Sequence, residues 1–484
     1  MKAIGLLGTG SSVGKTWVAT ALCAWLRRQG VRVAPCKAQN MSNNAFALRA
    51  GGEIARAQAM QAEACGLEPA PEMNPILLKP SGRRGSQLIV SGQVEGYVDA
   101  EDFYAEHDRL WRHVAGVLDG WRARCDVLVL EGAGSPVELN LMDRDLVNLR
   151  PIRHLDGRWL LVGDIDRGGI FAQLAGTWNL LPAADRPRGL GAIVNRFRGD
   201  LALFRDPGTR LLPHAPGLAV LGTVPLRRDL QPETEDGFDR GDEDRGSGDV
   251  IAWIRYPRVA NVTDCQPWWD DLGVRTRWVD DPSQLCSAKA IILPGSRNTL
   301  GDLAWLRAHG WFEAIRAAAE RGVLVVGVCG GYQMLGERLH DPEGLAGDRG
   351  SEAGIGLLPI TTGFLPEKIV QQVTAECCGR RWQAYEIHMG RSAATQPCAP
   401  LQTVVDAAGP RPEGLCRGNV WGTYLHGWFE APEVRRKVAA AAGIAAHRAE
   451  PILWSEKRRE IYAQMADHLA AHVDLGPVRR YLEL

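Results

Sequence analysis

Short, wholly apolar runs separated by longer helical stretches dominate the first half of the chain. Residues 2–7 read as a strand, 15–28 as a helix and 31–35 as a second strand. Further apolar runs stand at 127–130, 159–162, 191–194 and 218–221. Runs without alternation are strands buried on both faces, and their separation by helices predicts a parallel sheet covered on both sides. Glu131, Asp164 and Asn195 follow such runs closely, at the carboxyl ends of strands where open parallel sheets bind ligands. A second strand–helix series starts at residue 250. Its run 290–293 leads into Pro294-Gly295-Ser296, and its run 323–328 ends at Cys329. Residues 229–249 are acidic and glycine-rich and read as a linker. The pattern is therefore α/β throughout. It divides into an N-terminal parallel-sheet domain at 1–228, the linker, a second α/β domain at 250–435 and a helical tail at 436–484.

Composition adds little. With 484 residues, 45% hydrophobic and 23% charged, the chain is ordinary for a globular protein of two or three domains. A formal net charge of -1 gives no field that would draw nucleic acid or a membrane surface. No apolar run is long enough to span a bilayer and the N-terminus does not read as a signal peptide, so the expected location is cytoplasmic. The eleven cysteines show no metal-type spacing and read as reduced thiols. Asn261-Val262-Thr263 matches a glycosylation sequon, which that compartment makes a chance match. No obligate protein partner is expected.

Two motifs carry chemistry. The first is Gly8-Thr9-Gly10-Ser11-Ser12-Val13-Gly14-Lys15-Thr16, between a strand and a helix. Such a loop aims backbone N–H groups at phosphate oxygens, with help from the helix N-terminus. Lys15 would reach the β- and γ-phosphates of ATP, and Thr16 would hold Mg²⁺. Gly8 and Gly14 enclose five residues instead of the usual four, and Thr9 stands at the expected glycine. This variant resembles the loop of dethiobiotin synthetase and its relatives, which phosphorylate carboxylate-type groups. The resemblance implies that Glu131 is a second Mg²⁺ ligand and that Asn195 reads the adenine edge.

The second motif is Gly327-Val328-Cys329-Gly330-Gly331, after a buried strand. It places a sulfur on a tight turn at the start of a helix, as nucleophile elbows do. The helix start favours the thiolate. The Gly330 N–H, with that of Ser296 as second donor, can face an oxyanion. His426 is the expected base, with His388 as competitor. These residues resemble the class I glutamine amidotransferases. Many of those carry a glutamate two places after the histidine, where this chain has Trp428. The departure matches the cobyrinate-type branch, which works with a Cys–His pair, and it leaves open what orients His426.

Taken together, the two domains resemble the cobyric acid synthase family. The segments 37–44, 74–80, 85–87, 164–169 and 386–390 add to that resemblance. It implies ATP- and glutamine-dependent amidation of carboxylates b, d, e and g of adenosylcobyrinic acid a,c-diamide, in cobalamin biosynthesis. Ammonia would come from glutamine at Cys329 and His426, and the corrinoid carboxylate would be activated by MgATP. A polyanionic corrinoid makes Lys79, Arg83, Arg84 and Arg167 candidate substrate contacts. Three alternatives stand beside this reading. Cobyrinic acid a,c-diamide synthase has the same two domains. CTP synthase should carry the His-x-Glu pattern that Trp428 breaks. A ParA/MinD-like ATPase leaves the cysteine domain unexplained.

Overall fold

A computed structural model of the chain describes residues 1–80, 85–230, 244–345 and 349–484. The chain divides into two compact units. Unit 1 comprises residues 1–42, 54–235 and 458–484, and unit 2 comprises 43–53 and 236–457.

Unit 1 is built on a six-stranded sheet. Its order is Val220–Pro225, Gly189–Phe197, Arg158–Asp164, Lys2–Gly8, Val127–Glu131 and Val33–Cys36. Every pairing is parallel. The unbroken apolar stretches explain this. Val127–Glu131 is buried along its whole length, and Leu128, Leu160 and Ile193 are at most 1% exposed, so neither face is left for solvent. Helix Lys15–Arg28 follows the central strand and buries one side through Val18, Leu22 and Leu26. A four-stranded sheet joins Gln39–Met41, Ile76–Pro80, Ser86–Val90 and Gln93–Val98. Its short, half-polar strands gave no periodic signal.

The segment read as a tail of its own does not stand apart in the structure. Residues 458–484 belong to unit 1. Helices Trp454–His472 and Gly476–Leu482 bury Met465, Leu469 and Val478, and Val473 between them is buried too. The Asp474 N–H donates to Leu221 O at 2.8 Å, and Lys2 Nζ donates to Tyr481 O at 2.7 Å. The helical pattern was legible, but its docking partner lies hundreds of residues away.

Unit 2 holds a seven-stranded sheet. Its order is Asp244–Gly246, Gly273–Val279, Gly248–Ile254, Ala288–Leu293, Leu324–Val328, Val420–Thr423 and Leu415–Arg417. The inner pairings are parallel and both edge strands run antiparallel. The expected linker is correspondingly shorter. Asp229 and Leu230 lie in the 3-10 turn Arg228–Leu230, and Leu230 O accepts Trp17 Nε1–H at 2.7 Å. Asp244–Gly246 is already an edge strand. The stretch between, 231–243, lies outside the described residues. A second sheet contains the long hairpin Ile360–Cys377 and Arg380–Ala394. No helix among the described residues is long and apolar enough to cross a membrane.

Candidate active site

In unit 2, strand Leu324–Val328 delivers Cys329 onto a turn with φ 52° and ψ -110°, followed by helix Gly330–Met334. A non-glycine residue with such a φ is strained, and strain of this kind concentrates at functional sites. The flanking glycines are sterically required. A Cβ on Gly331 would lie 2.0 Å from Leu293 O, and one on Gly330 would lie 2.8 Å from Ser296 N. The same contact places the Ser296 backbone beside the residue after the cysteine, as an oxyanion hole made by Gly330 and Ser296 needs. Ser296 Oγ donates to Asp302 Oδ2 at 2.6 Å, and Asp302 Oδ1 accepts the Arg258 N–H at 3.1 Å. Burial pushes the Asp302 carboxyl up to about 6 against these two bonds.

His426 is 1% exposed and lies within the electrostatic influence of Cys329, whose sulfur stands 3.5 Å from Ile387 O. Its ring stacks on Tyr385 with centroids 5.4 Å apart. On Gly295, a Cβ would lie 3.1 Å from His426 Cε1. The competitor His388 is held differently. Its Nδ1 lies 2.7 Å from Gly390 O, its ring stacks on Tyr424 at 3.8 Å, and burial pushes its pKa down to about 3. Its Nδ1 donates to the carbonyl, so the ring is neutral at Nε2.

In unit 1 the loop residues Gly8, Thr9, Gly14, Lys15 and Thr16 surround the start of helix Lys15–Arg28. Lys15 Nζ bonds Gly10 O at 2.9 Å and Gly134 O at 3.1 Å. Thr9 Oγ1 donates to Gln173 Oε1 at 3.0 Å. Thr16 Oγ1 donates to Glu131 Oε1 at 2.8 Å. A hydroxyl and a carboxylate brought together are oxygen donors of the kind Mg²⁺ takes. Asn195 Nδ2 donates to Val13 O at 3.0 Å, and a Cβ on Gly14 would lie 2.1 Å from that nitrogen. The asparagine therefore braces the loop crest with its amide nitrogen.

The match of the chain to known proteins runs along both units. Residues 4–237 match the family model described as the CobQ/CobB/MinD/ParA nucleotide binding domain. Residues 250–434 match that of the CobB/CobQ-like glutamine amidotransferase domain. A cobyric acid synthase of Roseiflexus castenholzii is 45% identical over 98% of this chain and 97% of its own. One of Variovorax paradoxus is 47% identical over 88% and 90%. The chain belongs to the cobyric acid synthase family. That membership selects among the readings left open, because the nucleotide-binding model alone is shared with MinD and ParA proteins while the full-length relatives are cobyric acid synthases by name.

Three buried partners stand around these two centres, none of them named as a site residue from the sequence. Lys37 Nζ pairs with Glu131 Oε1 at 2.9 Å, and Gln61 Nε2 bonds the other Glu131 oxygen. Asp264 Oδ2 lies 2.7 Å from His426 Nδ1, across 162 positions, and Asp264 Oδ1 accepts the Gly427 N–H at 2.9 Å. Burial lowers the His426 pKa, but the charges of Asp264 and Cys329 and the bonds to both overcome it and raise the group to about 10. Lys37 stands within a segment marked by resemblance, but Gln61 and Asp264 stand in no motif. Of the suggested corrinoid contacts, Lys79 is 2% exposed within strand Ile76–Pro80. Arg167 is exposed, with Nε 3.7 Å from Asp164 Oδ2. Arg83 and Arg84 lie outside the described residues.

Proposed function

We propose that the protein converts adenosylcobyrinic acid a,c-diamide to adenosylcobyric acid by four amidations, each consuming one ATP and one glutamine. The observation that carries this is the pairing in one chain of a strained Cys329 with His426 and a phosphate loop whose Thr16, next to Lys15, meets Glu131, along a full-length match to cobyric acid synthases.

In unit 2 the Cys329 thiol gives its proton to His426, and the sulfur attacks the glutamine carboxamide carbon. The Gly330 and Ser296 N–H groups hold the oxyanion. As the C–N bond breaks, His426 returns the proton to nitrogen and ammonia leaves. Water, deprotonated by His426, then releases glutamate from the thioester and the thiol is restored. In unit 1 a corrinoid carboxylate oxygen attacks the γ-phosphorus of ATP and ADP leaves. Lys15 compensates charge on the transferring group. Ammonia attacks the acyl phosphate carbon, and phosphate departs as the amide forms. Thr16 and Glu131 would hold Mg²⁺, which when bound neutralises phosphate charge. Asn195, with its nitrogen committed to Val13, would meet the adenine amino group through its oxygen. Of the four cations suggested for the corrinoid, Arg167, near the carboxyl end of Arg158–Asp164, is described and exposed and would meet a corrinoid carboxylate.

The test is to incubate the protein with MgATP, glutamine and adenosylcobyrinic acid a,c-diamide and to count amide additions by mass. Four additions, with ADP and glutamate in equal number, are expected. A corrinoid of unchanged mass would overturn the reading.

A further inference from the structure

We propose that Asp264 is the positioning residue for the base of the glutaminase site, doing from a distant element what a glutamate two places after the histidine does in other amidotransferases. The proposal rests on the reading of Cys329 and His426 as the reacting pair.

The usual place for that acid is closed. Trp428 is fully buried, and its indole N–H donates to Gln402 Oε1. Gln402 in turn bonds Glu413 and Thr423. Glu413, the buried carboxylate of that network, takes its hydrogen bonds from Gln402, Thr423 and the Tyr424 N–H. The side chain at 428 is thus committed to that network. Asp264 meets the ring instead, in a geometry suited to fixing it. One carboxylate oxygen lies 2.7 Å from Nδ1, and the other accepts the N–H of Gly427, the next residue in the chain. The acid therefore ties both the ring and the backbone that carries it. Tyr385 on one side and Gly295 beside Cε1 limit the remaining rotation.

Asp264 is itself held. It sits in the 3-10 helix Val262–Trp268 and is 4% exposed. Its N–H donates to Asn261 O at 3.2 Å. Asn261, at φ 54°, donates its own N–H to Asn44 Oδ1 at 3.0 Å and accepts the Ala45 N–H at 3.4 Å. All of these residues lie in unit 2.

A carboxylate only accepts. Opposite it, Nδ1 must carry hydrogen, so Nε2 is left with its lone pair for the Cys329 proton. Once His426 takes that proton, the Asp264 side chain compensates the imidazolium. The titratable groups around the ring are Asp264, the Cys329 sulfur, the stacked Tyr385 and, more remotely, the neutral His388.

Asp264→Asn preserves the shape and the acceptor for Gly427, but it offers an N–H to Nδ1 and selects the wrong tautomer. The expected result is a kcat for glutamine hydrolysis lower by about 10³- to 10⁴-fold, the scale set by removing the tautomer-fixing acid of a triad. KM for glutamine should stay within about threefold, because the residue does not touch substrate. The alkaline limb of kcat/KM should move to lower pH, since the imidazolium loses its carboxylate partner. Amidation driven by ammonium should continue at the wild-type rate, which also shows that the variant is folded. Glutamine hydrolysis within about tenfold of wild type, with an unmoved pH profile, would overturn the proposal. If the Asn variant loses both activities, Asp264→Glu decides: hydrolysis regained with a carboxylate supports the assignment, and hydrolysis absent there too removes it. A Cys329→Ala variant that still hydrolyses glutamine would instead remove the underlying pair, so the two failures are distinguishable.

Discussion

Gly330 and Gly331 illustrate how directly single residues encode the cysteine site. A methyl group at 331 would press on the Leu293 carbonyl at 2.0 Å, a contact no side-chain rotation can relieve. Gly331→Ala should therefore shift the elbow, cost about 1–3 kcal/mol in stability and reduce the alkylation rate of Cys329, readable by mass spectrometry of its peptide. The charged residues divide by unit. Cys329→Ala should abolish glutamine-driven amidation and leave ammonium-driven amidation intact. Lys15→Ala should stop both, because no acyl phosphate forms. Glu131→Gln should also stop both. It would further leave the 5%-exposed Lys37 side chain beside a neutral amide, and breaking such a buried pair costs about 3–5 kcal/mol. Equal loss of thermal stability and of both activities is the expected signature. Unaltered ammonium-driven turnover in Lys15→Ala or Glu131→Gln would reject the loop assignment.

At the scale of elements, the apolar strands were readable because burial on both faces leaves no room for polar positions. The strands around 2–8, 127–131, 158–164, 288–293 and 324–328 all stand where unbroken hydrophobic runs predict them. The hairpin Ile360–Cys377 with Arg380–Ala394 was not readable, because its faces are partly solvated and its sequence mixes charges with glycine and proline. The C-terminal helices show a different gap, in which the element was legible and its neighbour was not. Leu469 is fully buried in unit 1. Leu469→Ala should cost about 2–5 kcal/mol and lower the midpoint of the unfolding transition that ATP raises. A midpoint unchanged in calorimetry would show that the helix adds nothing to the nucleotide-binding unit.

For the whole molecule, one chain joins two chemistries with different pH demands. Glutamine hydrolysis runs through the thiolate–imidazolium pair formed when Cys329 gives its proton to His426, and the charges of Asp264 and Cys329 raise that group so that the proton stays on the ring up to about pH 10. With the folded value above the ordinary one, the protonated form is complete well below that point and is lost on passing through it. The alkaline limb of kcat/KM for glutamine should accordingly fall near pH 10, whereas ammonium-driven amidation should climb with pH as ammonium yields ammonia. A glutamine profile that turns down near the ordinary histidine value would show that Asp264 does not hold the proton in place.

The amino-acid sequence by itself determined both candidate centres in outline. A phosphate loop and a cysteine elbow are built from consecutive residues, so their turn, helix start and small side chains are all local properties. Tertiary structure alone decided which acid serves His426, that 43–53 is counted with the glutaminase unit, and that 458–484 closes on the nucleotide-binding one. Those outcomes depend on hydrogen bonds and burial between segments far apart in the chain. A carboxylate or an apolar helix face carries no mark of the partner it will meet. Asp264 passed unnoticed behind a chance sequon because an acid acts through space, and only folding brings it within 2.7 Å of its histidine.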